Sequence, residues 1–253
     1  MEKSLVSVVM PAYNCESTLR QSVESVLRQS DRNWELLLLD DCSDDATWAL
    51  IRELAAMDGR IRAIQNSENR GVGYTRNRGV QLSRGAWIAF LDSDDLWTPD
   101  KLEKQRALAE SHPEASLFFT ASGFIDRDGR RLDYVLHVPE KIDRRRLLKQ
   151  NLISCSSVLL RREAALNRPF PEDRQMHEDF AVWLGLLEDG TLAWALDEPL
   201  LLYRLSPQSK SGNKLAAARM NWNTYRAAGL SIPASIYYMG WYTVKGLLKY
   251  SRL

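Results

Sequence analysis

Residues 90–99, Phe90-Leu91-Asp92-Ser93-Asp94-Asp95-Leu96-Trp97-Thr98-Pro99, hold the densest chemistry in the chain. An apolar run over residues 86–91 ends abruptly in three carboxylates, and a helix is expected to start at Thr98-Pro99. Carboxylates this close repel one another unless a cation sits among them. Their hard oxygen donors suit Mg²⁺ or Mn²⁺, and such an ion would hold a diphosphate. A set of helix caps ahead of Pro99 is the competing explanation, but it accounts for one Asp and not three. Other polar groups also follow apolar runs, Tyr13-Asn14 and Asp40-Asp41, while Glu178-Asp179 precedes one. The histidines, His112, His137 and His177, are too widely spaced for a zinc signature.

Something must position these groups. Residues 6–12, 34–39, 61–64 and 86–91 read as buried strands, and residues 18–27, 47–57 and 73–82 carry helical spacing. Strand and helix thus alternate over the first ninety residues, which predicts an α/β fold with a mostly parallel central sheet flanked by helices. Ligands bind beyond the carboxyl ends of such strands, where the polar clusters fall. The second half is less regular. Strands are expected at 117–125, 156–160, 192–196 and 200–205, a hairpin turn at 126–129, and helices at 143–150 and 179–187. A polar loop at 206–212 precedes two helical segments broken near 229–233.

The 253 residues are 45% hydrophobic and 26% charged, ordinary for a globular protein with a real core. A net charge of +1 gives no indication of a nucleic-acid partner. The charge is unevenly placed, however. Residues 205–253 contain no Asp or Glu but seven basic residues; removing those seven from the total of 34 leaves 27 against 33 acids, a net of −6 for the rest. A charge reversal in one tail points to a membrane or an anion. Cys15, Cys42 and Cys155 form no CxxC pair and imply a reducing compartment. The first residues lack a charged leader and cleavage site, and no stretch reaches the roughly 18 apolar residues of a membrane span, so a cytoplasmic protein is expected.

Several of these motifs together resemble glycosyltransferase family 2, the inverting nucleotide-sugar transferases. Val8-Val9-Met10-Pro11-Ala12-Tyr13-Asn14 is similar to the family's opening, and residues 36–45 to its second motif. Asn69-Arg70-Gly71-Val72-Gly73 with Arg76-Asn77 resembles the third signature, residues 90–95 the DxD motif, and Glu178-Asp179 the acceptor-side motif. Asp197-Glu198-Pro199-Leu200, Tyr203-Arg204 and residues 213–250 resemble bacterial surface-polysaccharide transferases of capsule, O-antigen and teichuronic-acid assembly. The resemblance implies the GT-A fold over residues 1–212, with a nucleotide-sugar half (1–98), an acceptor half (99–212) and a helical extension at 213–253. It also implies transfer from a UDP-sugar donor to a lipid-linked, undecaprenyl-diphosphate glycan with a divalent metal, Mn²⁺ or Mg²⁺.

Roles follow from the resemblance. Pro11, Ala12, Tyr13, Asn14, Asn69, Asp92 and Ser93 line the donor site, with Tyr13 covering a base or ribose face. Asp41 accepts from the uracil N–H or ribose hydroxyls, or else caps the helix before Thr47. Arg76 reaches nucleotide or phosphate, or lies on a solvated face. Asn69 and Gly71 shape their loop. Asp94 is the direct metal ligand, and Asp95 orients it or caps the next helix. Asp179 is the general base, assisted by Glu178, or a first-turn acid favoured by the helix dipole. Relatives often carry His where this chain has Ser206, and Arg204 or Lys210 would compensate as a cation.

The tail mixes Trp222, Tyr225, Tyr237, Tyr238, Trp241, Tyr242 and Tyr250 with basic residues. It lies on the inner face of the cell membrane as an interfacial element, or it caps the main domain. A homo-oligomer is compatible with the sequence. Two other readings remain open here, a sugar nucleotidyltransferase and a non-catalytic nucleotide-sugar-binding protein. The first would call for a Gly-rich basic loop where Pro11-Ala12-Tyr13-Asn14 stands.

Overall fold

The computed structural model describes residues 4–205 and 214–250. Three βα units open the chain: β1 (Val6–Ala12), α1 (Leu19–Leu27), β2 (Trp34–Asp40), α2 (Thr47–Met57), β3 (Ile61–Gln65) and α3 (Val72–Leu82), leading into β4 (Trp87–Phe90). All seven residues of β1 and of β2 are buried, as expected of parallel strands covered on both faces. Alternate residues point to opposite layers. Val9, Leu37, Leu39, Ile88 and Phe90 join one core, and Val8, Met10, Leu36, Leu38 and Ala89 the other.

The second half continues the same sheet. Its elements are β5 (Leu96–Trp97), α4 (Lys101–Ser111), β6 (Leu117–Ile125), β7 (Arg131–Leu136), β8 (Lys141–Ile142), α5 (Arg144–Lys149), β9 (Leu159–Arg161), α6 (Arg162–Asn167), α7 (Glu178–Leu186) and β10 (Ala193–Arg204). The strand order is β3-β2-β1-β4-β9-β6-β10-β5, with β7 added to β6 and β8 to β10. Strands β3, β2, β1 and β4 are mutually parallel, as are β6 and β10. The short strand β9 runs antiparallel to both β4 and β6 and so joins the two halves.

Three expectations change. The two strands expected at 192–196 and 200–205 are one strand, β10, whose register shifts on either side of Pro199. Proline has no N–H for the ladder, so the break that looks like a turn is a bulge. The strand expected at 156–160 is a 3-10 turn, Cys155–Ser157, followed by β9. The helix expected at Thr98-Pro99 starts at Lys101 behind the two-residue strand β5. Strand β7 exposes half of its six residues and completes the hairpin expected at 126–129.

The C-terminal helices are α8 (Lys214–Ala227) and α9 (Ile232–Tyr250), separated at Gly229, whose φ is +79°. Helix α8 packs on the main domain: Tyr225 is buried and donates to the Leu148 carbonyl at 2.6 Å. The inner side of α9 packs there too, through Ala234, Tyr238 and Met239. No helix among the described residues is long and apolar enough to cross a membrane.

Candidate active site

Because β1, β2 and β4 are parallel, their carboxyl ends open on one edge, and the polar motifs arrive there together. Tyr13 stands just beyond β1 with 47% of its surface exposed, a free aromatic face at that edge. Asn14 and Cys42 both take positive φ, 48° and 62°. Asn tolerates that backbone better than most residues. Its side chain is spent locally: Asn14 Oδ1 accepts from Asp44 N at 2.9 Å, and Asn14 N donates to Ser43 Oγ at 3.0 Å. Asn14 therefore braces the loops after β1 and β2 against each other.

Asp41 is buried and grips the next loop. Its Oδ1 accepts from Asn66 Nδ2 at 2.7 Å and from Arg70 N at 3.0 Å, and its Oδ2 from Gly71 N at 2.7 Å. It does not cap α2. Asp45 serves there, accepting from Thr47 N at 2.9 Å. Asp40 is a local brace, bonded to Ser43 and to Gln65 Nε2. The loop Asp41 holds needs glycine twice. Gly71 has φ +90°, and a side chain on Gly73 would stand 2.4 Å from the Pro171 carbonyl oxygen.

The acidic turn follows β4. Asp92 N donates to Ser156 Oγ at 3.0 Å, and Ser93 O accepts from Ser22 Oγ at 2.9 Å. Asp95 is buried; its Oδ1 accepts from Arg204 N at 2.9 Å. It does not cap α4, whose N-cap is Asp100. Burial, then the charges of Asp94 and Asp92, push the Asp95 carboxyl far above the usual range. Burial, then Asp92, raise Asp94 to about 6. Arg204 pins this turn from behind. Its Nε donates to Asp94 O at 2.7 Å, its Nη1 to the carbonyls of Asp126 and Arg127, and its Nη2 to Gln21 Oε1. A guanidinium so engaged is a structural clamp and not the compensating phosphate cation expected of it. Lys210 and Ser206 lie outside the described residues.

Arg76 joins the two acidic motifs. It is buried on α3, one turn beyond Gly73. Its Nη2 donates to Asp92 Oδ1 at 2.7 Å and its Nη1 to Glu178 Oε1 at 2.9 Å. Burial opposes its charge, but the Asp92 and Glu178 carboxylates outweigh that and hold it ionised. Arg76 thus bridges carboxylates 86 residues apart in sequence, and its burial rules out the solvated face given as its alternative. Asp179, in the first turn of α7, accepts from Phe180 N at 2.7 Å. Burial, then Glu178, raise its carboxyl to about 6.

An aromatic trio sets the spacing of the two motifs. Phe90, two residues before Asp92, meets Phe170 at 5.1 Å between ring centroids, and Phe170 meets Trp183 at 6.0 Å. Trp183 lies one turn after Asp179 and is fully buried. Truncating such a ring costs about 3–5 kcal/mol. Asn77 completes the frame by exchanging two hydrogen bonds with the Phe170 backbone, at 2.7 and 2.8 Å.

Three further residues at the site carry no signal in the sequence. Arg174 Nη2 donates to the Asn69 carbonyl at 2.9 Å and to Asn69 Oδ1 at 2.6 Å, so Asn69 is held by the protein. Ser156 supports Asp92. Cys155 lies buried where the charges of Arg76, Asp92 and Asp179 all bear on it. Only the folded chain brings these residues to the site.

Among the described residues, no three His, Cys, Asp or Glu side chains are grouped to hold an ion. Asp92 turns to Arg76 and Asp95 to β10, which leaves Asp94. Its carboxyl, raised by a neighbouring negative charge, is one that a cation would relieve. Asp95 Oδ2 is also buried without a hydrogen bond among the described residues. One carboxylate plus substrate phosphates and water is a common Mg²⁺ arrangement, so the residues fit such an ion.

Residues 7–168 match the family profile Glycosyl transferase family 2. A Bacillus subtilis protein, TuaG, provisionally named a teichuronic acid biosynthesis glycosyltransferase, is 39% identical over 88% of each chain. Two Escherichia coli proteins, WfaP and WfgD, are 33% and 35% identical, over 97% and 99% of this chain and 95% and 97% of theirs. Both are named UDP-Glc:alpha-D-GlcNAc-diphosphoundecaprenol beta-1,3-glucosyltransferase. Among solved structures, S. aureus TarS 1-349 in complex with UDP-GlcNAc superposes with a TM-score of 0.74 at 17% identity, over 92% of this chain and 70% of that one. Against a longer TarS chain the match spans 41% of its length. A mannosyltransferase from Pyrobaculum calidifontis with GDP-Man and Mn²⁺ gives 0.71 at 15% identity, over 94% and 69%. At these identities the structural likeness speaks to the fold alone, and that fold is GT-A. The profile match and the extended sequence identity go further: this chain belongs to glycosyltransferase family 2 and is a nucleotide-sugar-dependent glycosyltransferase.

Proposed function

We propose that this enzyme transfers a sugar from a UDP-sugar to a hydroxyl of an undecaprenyl-diphosphate-linked glycan, with inversion, at the inner face of the cell membrane. The observation that carries the reading is the Arg76 bridge between Asp92 and Glu178, which sets a donor-side and an acceptor-side acid cluster around one guanidinium. The printed names of the E. coli relatives support the donor and acceptor classes. In this reading residues 1–98 form the donor half, 99–212 the acceptor half, and 213–253 a membrane-facing tail.

Asp179 acts as general base. It takes the proton of the acceptor hydroxyl as that oxygen bonds the anomeric carbon, on the face opposite the departing UDP. A carboxyl raised to about 6 is mostly ionised at neutral pH yet more basic than an ordinary Asp. Glu178 stays paired with Arg76 and orients the start of α7. Tyr13 covers the base or ribose, and Asp41 holds loop 66–71 beneath it. Asp94 would hold Mg²⁺ or Mn²⁺, which when bound stabilises negative charge on the diphosphate.

Purified protein should release UDP from a UDP-sugar in the presence of Mn²⁺ and an undecaprenyl-diphosphate-linked sugar, and NMR of the product should show an inverted anomeric centre. A retained anomeric configuration would sink the single-displacement reading. Pyrophosphate release from UTP and a sugar phosphate would instead make the protein a nucleotidyltransferase.

A further inference from the structure

Helix α9 is unusual because both of its sides are apolar. A helix on a protein surface ordinarily turns charged and polar residues outward. Here the inner side buries Ser235 and packs Ala234, Tyr238 and Met239 on the core. Over residues 232–244 the outward side carries no charged residue. Ile232, Ile236, Tyr237 and Val244 each expose more than half of their surface, and Trp241 about a third. At 3.6 residues per turn these positions fall on one half of the helix, forming a continuous stripe several turns long. Such an apolar, aromatic stripe needs a covering surface.

The stripe has a basic edge. Helix α5 packs beside α9, and Lys149 Nζ lies 5.1 Å from the centre of the Trp241 ring. Arg145, one turn before Lys149 on the same side of α5, is exposed, as is Arg146. Leu147 and Leu148 face the core, and Arg144 is spent on the carbonyls of Leu184 and Ala228. Lys245 stands one turn beyond Trp241. Residues 205–253 contain no acid; the acids against α5 are Asp143, its own cap, which accepts from Arg146 N at 2.7 Å, and Glu188, 3.6 Å from Arg144. Apolar and aromatic residues bordered by charge of one sign complement an anionic lipid surface, which needs no residue-by-residue match.

We propose that the outward face of α9, bordered by Arg145, Arg146 and Lys149 of α5, is the surface by which this protein docks on an anionic bilayer. Ile232, Ile236, Tyr237 and Val244 enter the headgroup boundary, Trp241 lies at its edge, and the α5 cations meet lipid phosphates. The assignment rests on the membrane-facing reading of the tail, and it adds α5, an element of the catalytic domain, to the docking face. It does not depend on the chemistry at Asp94 and Asp179.

The test is co-flotation of the full chain with vesicles of phosphatidylcholine alone or mixed with phosphatidylglycerol. Binding to the mixed vesicles, weakened by salt, is expected. Ile236→Glu with Val244→Glu should lower vesicle affinity more than tenfold, since each removes an aliphatic side chain from the headgroup boundary and sets a negative charge there. Lys149→Ala should lower it about fivefold. Thermal melting and transfer to a water-soluble acceptor should stay at wild-type levels in all of these variants. Two results overturn the proposal: a wild-type chain that stays with the pellet, or a double Glu variant that floats as well as wild type. A third is a dimer, seen by light scattering, that Ile236→Glu dissociates, because the stripe would then be a contact between copies. Loss of transfer by the wild-type chain with flotation intact would count against the catalytic reading and leave the docking surface standing.

Discussion

The two acid clusters of the site are built alike and strained differently. At the end of β4, Arg76 takes Asp92; at the start of α7, it takes Glu178. In each case a neighbouring carboxyl is raised to about 6 by burial and then by the adjoining acid, Asp94 in the first and Asp179 in the second. The surroundings then diverge. Asp94 sits in a turn with Asp92 and Asp95, locked from behind by Arg204, so negative charge accumulates there and a cation would relieve it. Asp179 stands on a helix first turn beside one other acid, itself paired, and a proton would relieve it. In the function proposed above the first carboxylate holds a cation and the second takes a proton, and the two differ in how many acids crowd each.

The largest effect should come from breaking the acceptor side of that comparison. Asp179→Asn is expected to lower kcat by about 10²–10⁴-fold while leaving metal-dependent UDP binding in place. Asp94→Asn should instead weaken that binding, measured by calorimetry. In the wild-type enzyme, kcat/KM should fall about tenfold per pH unit below pH 6 and level off above, because the base works only when deprotonated. A profile flat down to about pH 5 would remove Asp179 from the role.

Removing the shared arginine should matter next. Arg76→Ala leaves Asp92 and Glu178 facing each other with no cation between them, and stranding a buried charge costs about 3–5 kcal/mol. For a chain of this size that lowers Tm by roughly 10 °C. Arg76→Lys keeps one charge but cannot bridge two acids, so it should recover part of the melting loss and little of the rate. Equal melting of Arg76→Ala and wild type would show the bridge to be dispensable.

The smallest effect concerns stability. Asp94 and Asp179 titrate near 6 in the folded chain instead of near 3.8. Their protonated forms favour folding, so that stability is present in full below about pH 4 and is lost as pH rises to 6. Asp179→Asn should therefore gain on the order of 1–2 kcal/mol at pH 7 in urea melts, and nothing at pH 4. The same variant would then be more stable and nearly inactive, a trade common at active sites. Absence of a gain at pH 7 would mean that the strain on this carboxyl is small.

The comparison also marks how far the sequence alone can be read. The parallel half was legible because local patterns repeat there. Residues 47–57 were expected as a helix and form α2 with the same bounds, and β1 matches its expected span. The second half was less so, because its strands depend on partners. Strand β7 exposes half of its residues, β5 has two residues, and β10 passes a proline that reads as a stop. The site divides the same way. Which acids matter was legible from their clustering, but what each acid touches was not. Asp95 and Arg204 bond across 109 positions, and Arg76 and Glu178 across 102.

The sequence by itself determined the βα alternation, the sheet edge where the polar motifs gather, and the identity of the chemical groups there, since period and residue type are local properties of the chain. Tertiary structure alone decided the allocation of partners: that Arg76 bridges two carboxylates, that Arg204 clamps a turn, that Asp41 braces a loop, and that α9 turns an apolar side outward. The physical reason is that a charge or an apolar surface acquires its energy from what packs against it, and distant segments meet only when the sheet closes around its core.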